Sequence, residues 1–295
     1  MRNKVTRARL SLIASMCIFG TIGLMRRFLP VPSGFLAMTR GLLGAAFLLL
    51  LVRLRGGTLS REAIRANGWR LLISGALIGF NWILLFEAYR YTTVATATLC
   101  YYMAPVFILL AAPFALHERL TLRKLLCVAA ALLGIALVSG VKAGFSGAGE
   151  WRGILFGLSA AALYAAIVLL NKQLHDIGAY DKTIVQIGVA GAVLIPYVLL
   201  TEDLSSITLT PAVVTLLLVA GLFHTGVAYA LYFGSMDALP AHSVALIGYL
   251  DPVIAVLLSA LVLREPMSLT QAFGAVLILC AAVVAELPER SNAHT

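Results

Sequence analysis

The residues able to do chemistry in this sequence stand where such residues are costly to place. Arg40, Asn81, Glu87, Asn171, Gln186, His224 and Asp251 all lie inside long apolar runs or near their ends. In a run that crosses a bilayer, a charge near the centre costs at least ~2.5–3.5 kcal/mol, so it faces a cavity or a partner. Asp251 is the sharpest case, because it is central in its run and immediately precedes Pro252. A carboxylate there is either held ionised by a cation, Arg40 or a bound ligand, or it takes up a proton. His224 is also central, and histidine titrates near neutral pH without perturbation. It is either a proton relay or a neutral packing residue. Glu87 completes the set of candidate proton carriers, although Arg90 three residues on offers it a local ion pair. Arg40 lies closer to the start of its run, where it either belongs to a site or snorkels to the interface.

Aromatic residues gather on the same runs. Trp82, Tyr101, Tyr102, Tyr229 and Tyr249 offer flat apolar faces, polar edges and a surface for cations. With Asn81 and Arg40 they form the candidate binding wall for an amphipathic or cationic small molecule. The competing role is a belt at the lipid interface, which is the expectation for Tyr89 near a run end. Pro105 and Pro252 fall mid-run. Proline removes a backbone donor and frees the carbonyl four residues earlier, here that of Tyr101 and Gly248. Inside a membrane such carbonyls need protein or water partners, which points to either a cavity or a static kink.

The elements that hold these residues follow from composition. Of 295 residues, 61% are hydrophobic and 12% charged, against about 25% charged in soluble chains. Lipid must therefore act as solvent for much of the surface. A helical span needs about 20 apolar residues. Runs near 8–28, 33–53, 70–90, 92–116, 122–141, 151–172, 182–200, 211–235, 240–263 and 269–286 predict ten transmembrane helices, with the first retained rather than cleaved. With the N-terminus inside, fifteen Lys and Arg fall on the cytoplasmic side. Six, namely Arg26, Arg27, Arg90, Lys142, Arg152 and Arg264, fall outside, and Arg40 lies within a span. That excess predicts both termini in the cytoplasm of a bacterial-type inner membrane, and it accounts for the net charge of +9 without nucleic acid. Cys17, Cys100, Cys127 and Cys280 sit singly in apolar runs, where small buried side chains are expected rather than a disulfide or metal site.

The second half repeats the first. Leu99-Cys100-Tyr101-Tyr102-Met103-Ala104-Pro105-Val106 aligns with Leu246-Ile247-Gly248-Tyr249-Leu250-Asp251-Pro252-Val253 at an offset of 147. The same register pairs His117-Glu118 with Arg264-Glu265, Gly79 with Gly226, Trp82 with Tyr229 and Phe86 with Phe233. Glu118 and Glu265 are expected to be solvated residues at helix ends. Five helices per half force opposite insertion. The predicted fold is thus all-α and integral to the membrane, with ten helices as two inverted five-helix repeats around a central cavity. The repeats cover 1–143 and 150–286, and 287–295 form a cytoplasmic tail. Glycine pairs such as Gly41 and Gly44, and Gly188 and Gly191, are expected to let helices pack closely.

These residues resemble a known family. Pro32-Ser33-Gly34-Phe35-Leu36-Ala37-Met38-Thr39-Arg40 looks like the arginine-bearing start of the second helix in the EamA family of the drug/metabolite transporters. Asn81 to Thr121 resembles that family's third and fourth helices, and Gly221 to Phe233 with Tyr249 to Glu265 their counterparts in its second half. The resemblance implies a ten-helix fold with a central cavity and, usually, metabolite export. Many members carry Trp near the end of the first helix, where this chain has Phe19-Gly20-Thr21, so no role of that Trp carries over. The expected function is secondary transport of a small metabolite, an amino acid or amine, with coupling to protons left open. No cofactor or metal is expected, and the partners are the substrate and the lipid bilayer, as monomer or homodimer. An intramembrane enzyme lacks GxSxG and HExxH, ATP hydrolysis lacks the Walker motif, and a channel lacks rings of repeated polar residues.

Overall fold

The computed structural model describes residues 2–115, 121–138, 148–236, 238–239 and 241–286. Glu118, His117, Lys142 and the tail 287–295 lie outside the described residues. Every regular element described is helical. In chain order they are α1 (Arg2–Gly20), α2 (Ile22–Arg27), α3 (Ser33–Leu54), α4 (Arg61–Ala66), α5 (Gly68–Tyr91), α6 (Val94–Tyr101), α7 (Ala104–Ala115), α8 (Leu122–Val138), α9 (Ala148–Asn171) and α10 (Ala179–Thr201). There follow a short 3-10 helix (Leu204–Ser206), α11 (Pro211–Leu218), a π-helical segment (Val219–Val227), α12 (Ala228–Met236), α13 (Ala241–Gly248), α14 (Leu250–Leu261) and α15 (Leu269–Glu286).

Seven helical stretches among the described residues are long and apolar enough to cross a membrane. They are Lys4–Arg27, Ser33–Leu54, Gly68–Tyr91, Val94–Ala111, Glu150–Asn171, Ala179–Thr201 and Pro211–Ser235. Leu250–Leu261 and Leu269–Val284 are shorter apolar helices. The predicted ninth run falls short because it is divided at Tyr249 into α13 and α14.

Sequence explains where helices begin. Thr93 caps α6 by accepting from the Thr96 amide at 3.0 Å, and Thr210 caps α11 ahead of Pro211. The first amides of α3, at Gly34 and Phe35, donate to Glu202 from the end of α10 at 2.7 and 2.9 Å. Pro105 and Pro252 each lie in the first turn of a restarted helix, α7 and α14, where a missing N–H costs nothing.

Helix pairings recur when the halves are exchanged. α5 packs on α9 as α12 packs on α1, α6 on α9 as α13 on α1, α7 on α9 as α14 on α1, and α5 on α10 as the π segment on α3. α3 with α10, and α8 with α15, map onto themselves. Gly41 and Gly191 make the α3–α10 crossing close: a Cβ on Gly41 would lie 2.9 Å from the Gly191 nitrogen. The loops fall into two sets. At one end Arg27 reaches the Thr92 carbonyl at 2.7 Å and Glu265 at 2.5 Å, near the Glu202 cap. At the other, the Ser60 amide donates to Asp181 at 3.1 Å, Asn67 donates to the His175 carbonyl at 2.8 Å, and Arg123 bonds the Val284 carbonyl.

Three expectations change here. Tyr89 is no interface residue: it is 3% exposed and its hydroxyl pairs with Thr98. Glu265 is not simply solvated, because it also accepts from the Val94 amide at 2.8 Å and from Ser259 at 2.5 Å, clasping α6 to the end of α14. Cys280 is exposed on an apolar helix, where lipid rather than protein would cover it.

Candidate functional site

The two helix breaks meet. Tyr102 ends α6 and Tyr249 precedes α14, at equivalent repeat positions, and their rings lie 6.3 Å apart. Asp251, in the first turn of α14, accepts from the Tyr102 hydroxyl at 2.9 Å. Tyr101 packs on Tyr102 at 6.2 Å and on Tyr164 at 5.5 Å. Its hydroxyl reaches Asn81 Oδ1 at 3.5 Å, while Asn81 Nδ2 donates to the Ala160 carbonyl at 2.5 Å. Asn81 thus ties α5 to α9 and orients Tyr101. Tyr102, Tyr249 and Asp251 are each half-buried.

Arg40 stands beside this cluster. It is buried, so it does not snorkel to the nearer helix end: three neighbours hold it inward. Its Nε donates to Thr225 Oγ1 at 2.7 Å, and its guanidinium carbon lies 4.4 Å from the Trp82 ring centre and 5.8 Å from that of Phe86. Arg40 and Asp251 interact through space, but the ion pairs among the described residues are Arg27–Glu265 and Arg90–Glu87, so neither is spent on the other. Tyr229 closes the wall with an edge contact to Phe19 at 5.3 Å and a stacked contact to Phe233 at 5.8 Å.

The π segment shapes His224. Its carbonyls meet side chains five residues on: Val219 O faces His224 Nδ1 at 3.3 Å and Ala220 O accepts from Thr225 Oγ1 at 3.1 Å. Such widened turns re-aim side chains and recur at functional sites. A ring nitrogen against a carbonyl must donate, so Nδ1 carries a proton. Nε2 lies 2.8 Å from Thr21 Oγ1, which also bonds the Ile18 carbonyl at 2.7 Å where α1 breaks before α2. With neutral His224 the Thr21 proton points to Nε2. With imidazolium Nε2 donates, and the hydroxyl keeps its bond to Ile18.

The structure therefore brings together Trp82, Asn81, Tyr101, Tyr102, Tyr249, Asp251 and Arg40 about two broken helices, with Tyr229 and His224 on the adjoining wall. Glu87 stands apart in its i,i+3 pair with Arg90 at 2.9 Å. Thr225, Thr21 and the π segment carry contacts that sequence reasoning missed. Threonine is unremarkable in apolar helices, and only the glycines Gly221 and Gly226 mark the segment. Among the described residues no three His, Cys, Asp or Glu side chains converge on a point fit for a metal.

Long apolar helices packed about a polar and aromatic centre define an integral membrane protein. The EamA-like transporter family model matches this chain twice, over residues 6–140 and 151–286. The chain belongs to that family. It is 31% identical over 274 residues to the uncharacterized transporter YxxF of Bacillus subtilis (strain 168), covering 92% of this chain and 86% of that protein. Protein PecM of Dickeya dadantii (strain 3937) is 28% identical over 280 residues, covering 92% and 89%. A crystal structure at 21% identity superposes with a TM-score of 0.67, covering 95% of this chain and 96% of its own, which speaks to the fold alone.

Proposed function

We propose that this chain is a secondary transporter that exports a small amino-acid- or amine-like metabolite by alternating access. The observation that carries the reading is a half-buried carboxylate and a buried guanidinium, not ion-paired with each other, beside the same aromatic cluster. Asp251 suits an ammonium group, Arg40 a carboxylate, and the tyrosine and tryptophan rings the body between them. Paired helix breaks at equivalent repeat positions suit a midplane site, with one half rocking on the other.

Ten spans as two inverted repeats, both termini in the cytoplasm and residence in a bacterial inner membrane complete the reading. The exchange-symmetric helix pairings and the division of loops between two ends support it. Proton coupling has two candidate carriers: Asp251, costly to ionise without a cation, and His224, whose protonation reverses its bond to Thr21.

A thermal-shift screen of purified protein with amino acids, amines, nucleobases and sugars tests the substrate class, because a ligand of the folded state raises its stability by mass action. Hits confined to amino acids and amines, followed by uptake in proteoliposomes, are expected. Hits confined to sugars or nucleobases would overturn the substrate class. A reporter fused after Glu286 should read as cytoplasmic.

A further inference from the structure

We propose that the cleft at the Arg26 end of the molecule binds a small oxyanion, a carboxylate or phosphate group, with Arg26 as its anchor. The cleft encloses about 500 Å³ and is lined by Arg26, Arg27, Leu29, Pro30, Tyr89 and Arg90 among others. Three arginines so close repel one another unless each has a counter-charge. Two of them do. Arg27 pairs with Glu265 at 2.5 Å and Arg90 with Glu87 at 2.9 Å. Glu202, the further carboxylate near Arg26, accepts from the Gly34 and Phe35 amides.

Arg26 is left over. It is 5% exposed, and among the described residues no carboxylate lies within ion-pair distance of it. Its Nη1 donates to the Leu29 carbonyl at 2.5 Å and its Nη2 to Ser33 Oγ at 3.2 Å, whereas its Nε has no partner. A buried cation without a counter-charge and with an unmet donor is destabilising. An oxyanion in the cleft supplies the charge, and the planar guanidinium matches two oxygens of a carboxylate or phosphate. The bonds to Leu29 and Ser33 hold its plane before any ligand arrives, which lowers the ordering cost of binding. Arg27 and Arg90, with side chains 30% and 53% exposed, flank the cleft already paired with their own carboxylates. The oxyanion belongs to a free metabolite or to the headgroup of an anionic lipid.

The test titrates purified protein in neutral detergent with inorganic phosphate at constant ionic strength, and separately with short-chain phosphatidylglycerol against phosphatidylcholine. The readout is the thermal midpoint from tryptophan fluorescence. A saturable rise is expected with phosphate if the ligand is free, or with phosphatidylglycerol alone if it is a headgroup. Arg26→Gln should raise the half-saturating concentration at least tenfold, and Arg65→Gln, exposed at the opposite end, should leave it unchanged. Should Arg26→Gln not fold, Arg26→Lys keeps the charge but not the planar fork and should raise it at least threefold. No saturable response to either ligand, or equal affinity in the Arg26 variant that folds, overturns the proposal whether or not the central site carries an amine.

Discussion

Asp251→Asn and Tyr102→Phe, made singly and together, ask whether the centre holds a charge. The Tyr102 hydroxyl donates to Asp251 at 2.9 Å, and both residues are half-buried. A hydrogen bond to an ionised group contributes about 1.5–3 kcal/mol, and one between neutral groups about 0.5–1.5 kcal/mol. Asn keeps the size of Asp and a carbonyl acceptor. The double-mutant cycle therefore compares a charged with a neutral acceptor for the same donor. With Asp251 ionised, the coupling should be about 1–1.5 kcal/mol, above the ~0.5 kcal/mol scatter of independent sites. At about 2–4 °C per kcal/mol, that is a non-additivity of several degrees in thermal midpoint. With Asp251 protonated the coupling vanishes, so it should disappear as pH falls through the proton uptake of this group. Proteoliposome transport gives the second readout. A proton carrier predicts that Asp251→Asn binds substrate but loses gradient-driven accumulation, and a cation ligand predicts weaker binding at every pH. Additive effects at all pH values, with wild-type transport and unchanged gradient dependence in Asp251→Asn, would remove Asp251 from the mechanism.

Trp82→Phe keeps a ring beneath Arg40 but weakens a cation–π contact of about 0.5–2 kcal/mol. Substrate affinity should fall roughly threefold to tenfold with folding retained, and an unchanged affinity in isothermal titration would place the ring outside the site. Gly41→Ala sets a Cβ 2.9 Å from backbone atoms of α10, which must move. A loss of about 1–3 kcal/mol is expected, and a thermal midpoint equal to wild type would contradict the α3–α10 crossing. At Glu202, burial pushes the carboxyl above its ordinary 4.5 despite the amides of Gly34 and Phe35. Its folded value being raised, its contribution is fully present below the unfolded value and is lost as pH rises through the folded one. The midpoint of wild type relative to the non-titrating Glu202→Gln should therefore drop from pH 4 towards neutrality, and a flat difference would refute the assignment.

Most of the frame was legible because lipid imposes a coarse code: apolar length, proline position and the 147-residue register do not depend on side-chain detail. Tyr102, Tyr249, Pro105 and Pro252 stood out as a repeated set, and their helices are broken just before the two prolines. What stayed hidden depends on contacts between distant segments. Tyr89 lies near a run end and reads as an interface ring, yet α6 turns back and offers it Thr98. Glu265 reads as solvated until Val94, Ser259 and Arg27 converge on it. The π segment has no single-residue signature. Its widened turn is recorded only in where Thr225 and His224 find their carbonyl partners.

The repeat also separates scaffold from chemistry. Positions that fix the frame are kept across the register: Tyr102 and Tyr249 at the breaks, Pro105 and Pro252 after them, and Gly41 and Gly44 with Gly188 and Gly191 at the central crossing. The charged and polar positions about the centre are not. Arg40 corresponds to Ile187, Thr225 to Ile78, Asp251 to Ala104 and His224 to Leu77. The interface of α3 with the π segment thus holds a guanidinium bonded to a hydroxyl, where its counterpart between α5 and α10 has two isoleucines at the equivalent positions. Packing alone tolerates the apolar version, since the same crossing is built that way once already. The polar version leaves a buried cation that must be compensated, a cost that symmetry of the fold does not require. On the proposed function, a charge kept where the fold does not need it serves the ligand or the coupling ion. At the position equivalent to His224 the first half has Leu77, whereas here an imidazole can exchange the direction of one hydrogen bond at the α1–α2 break when it gains a proton.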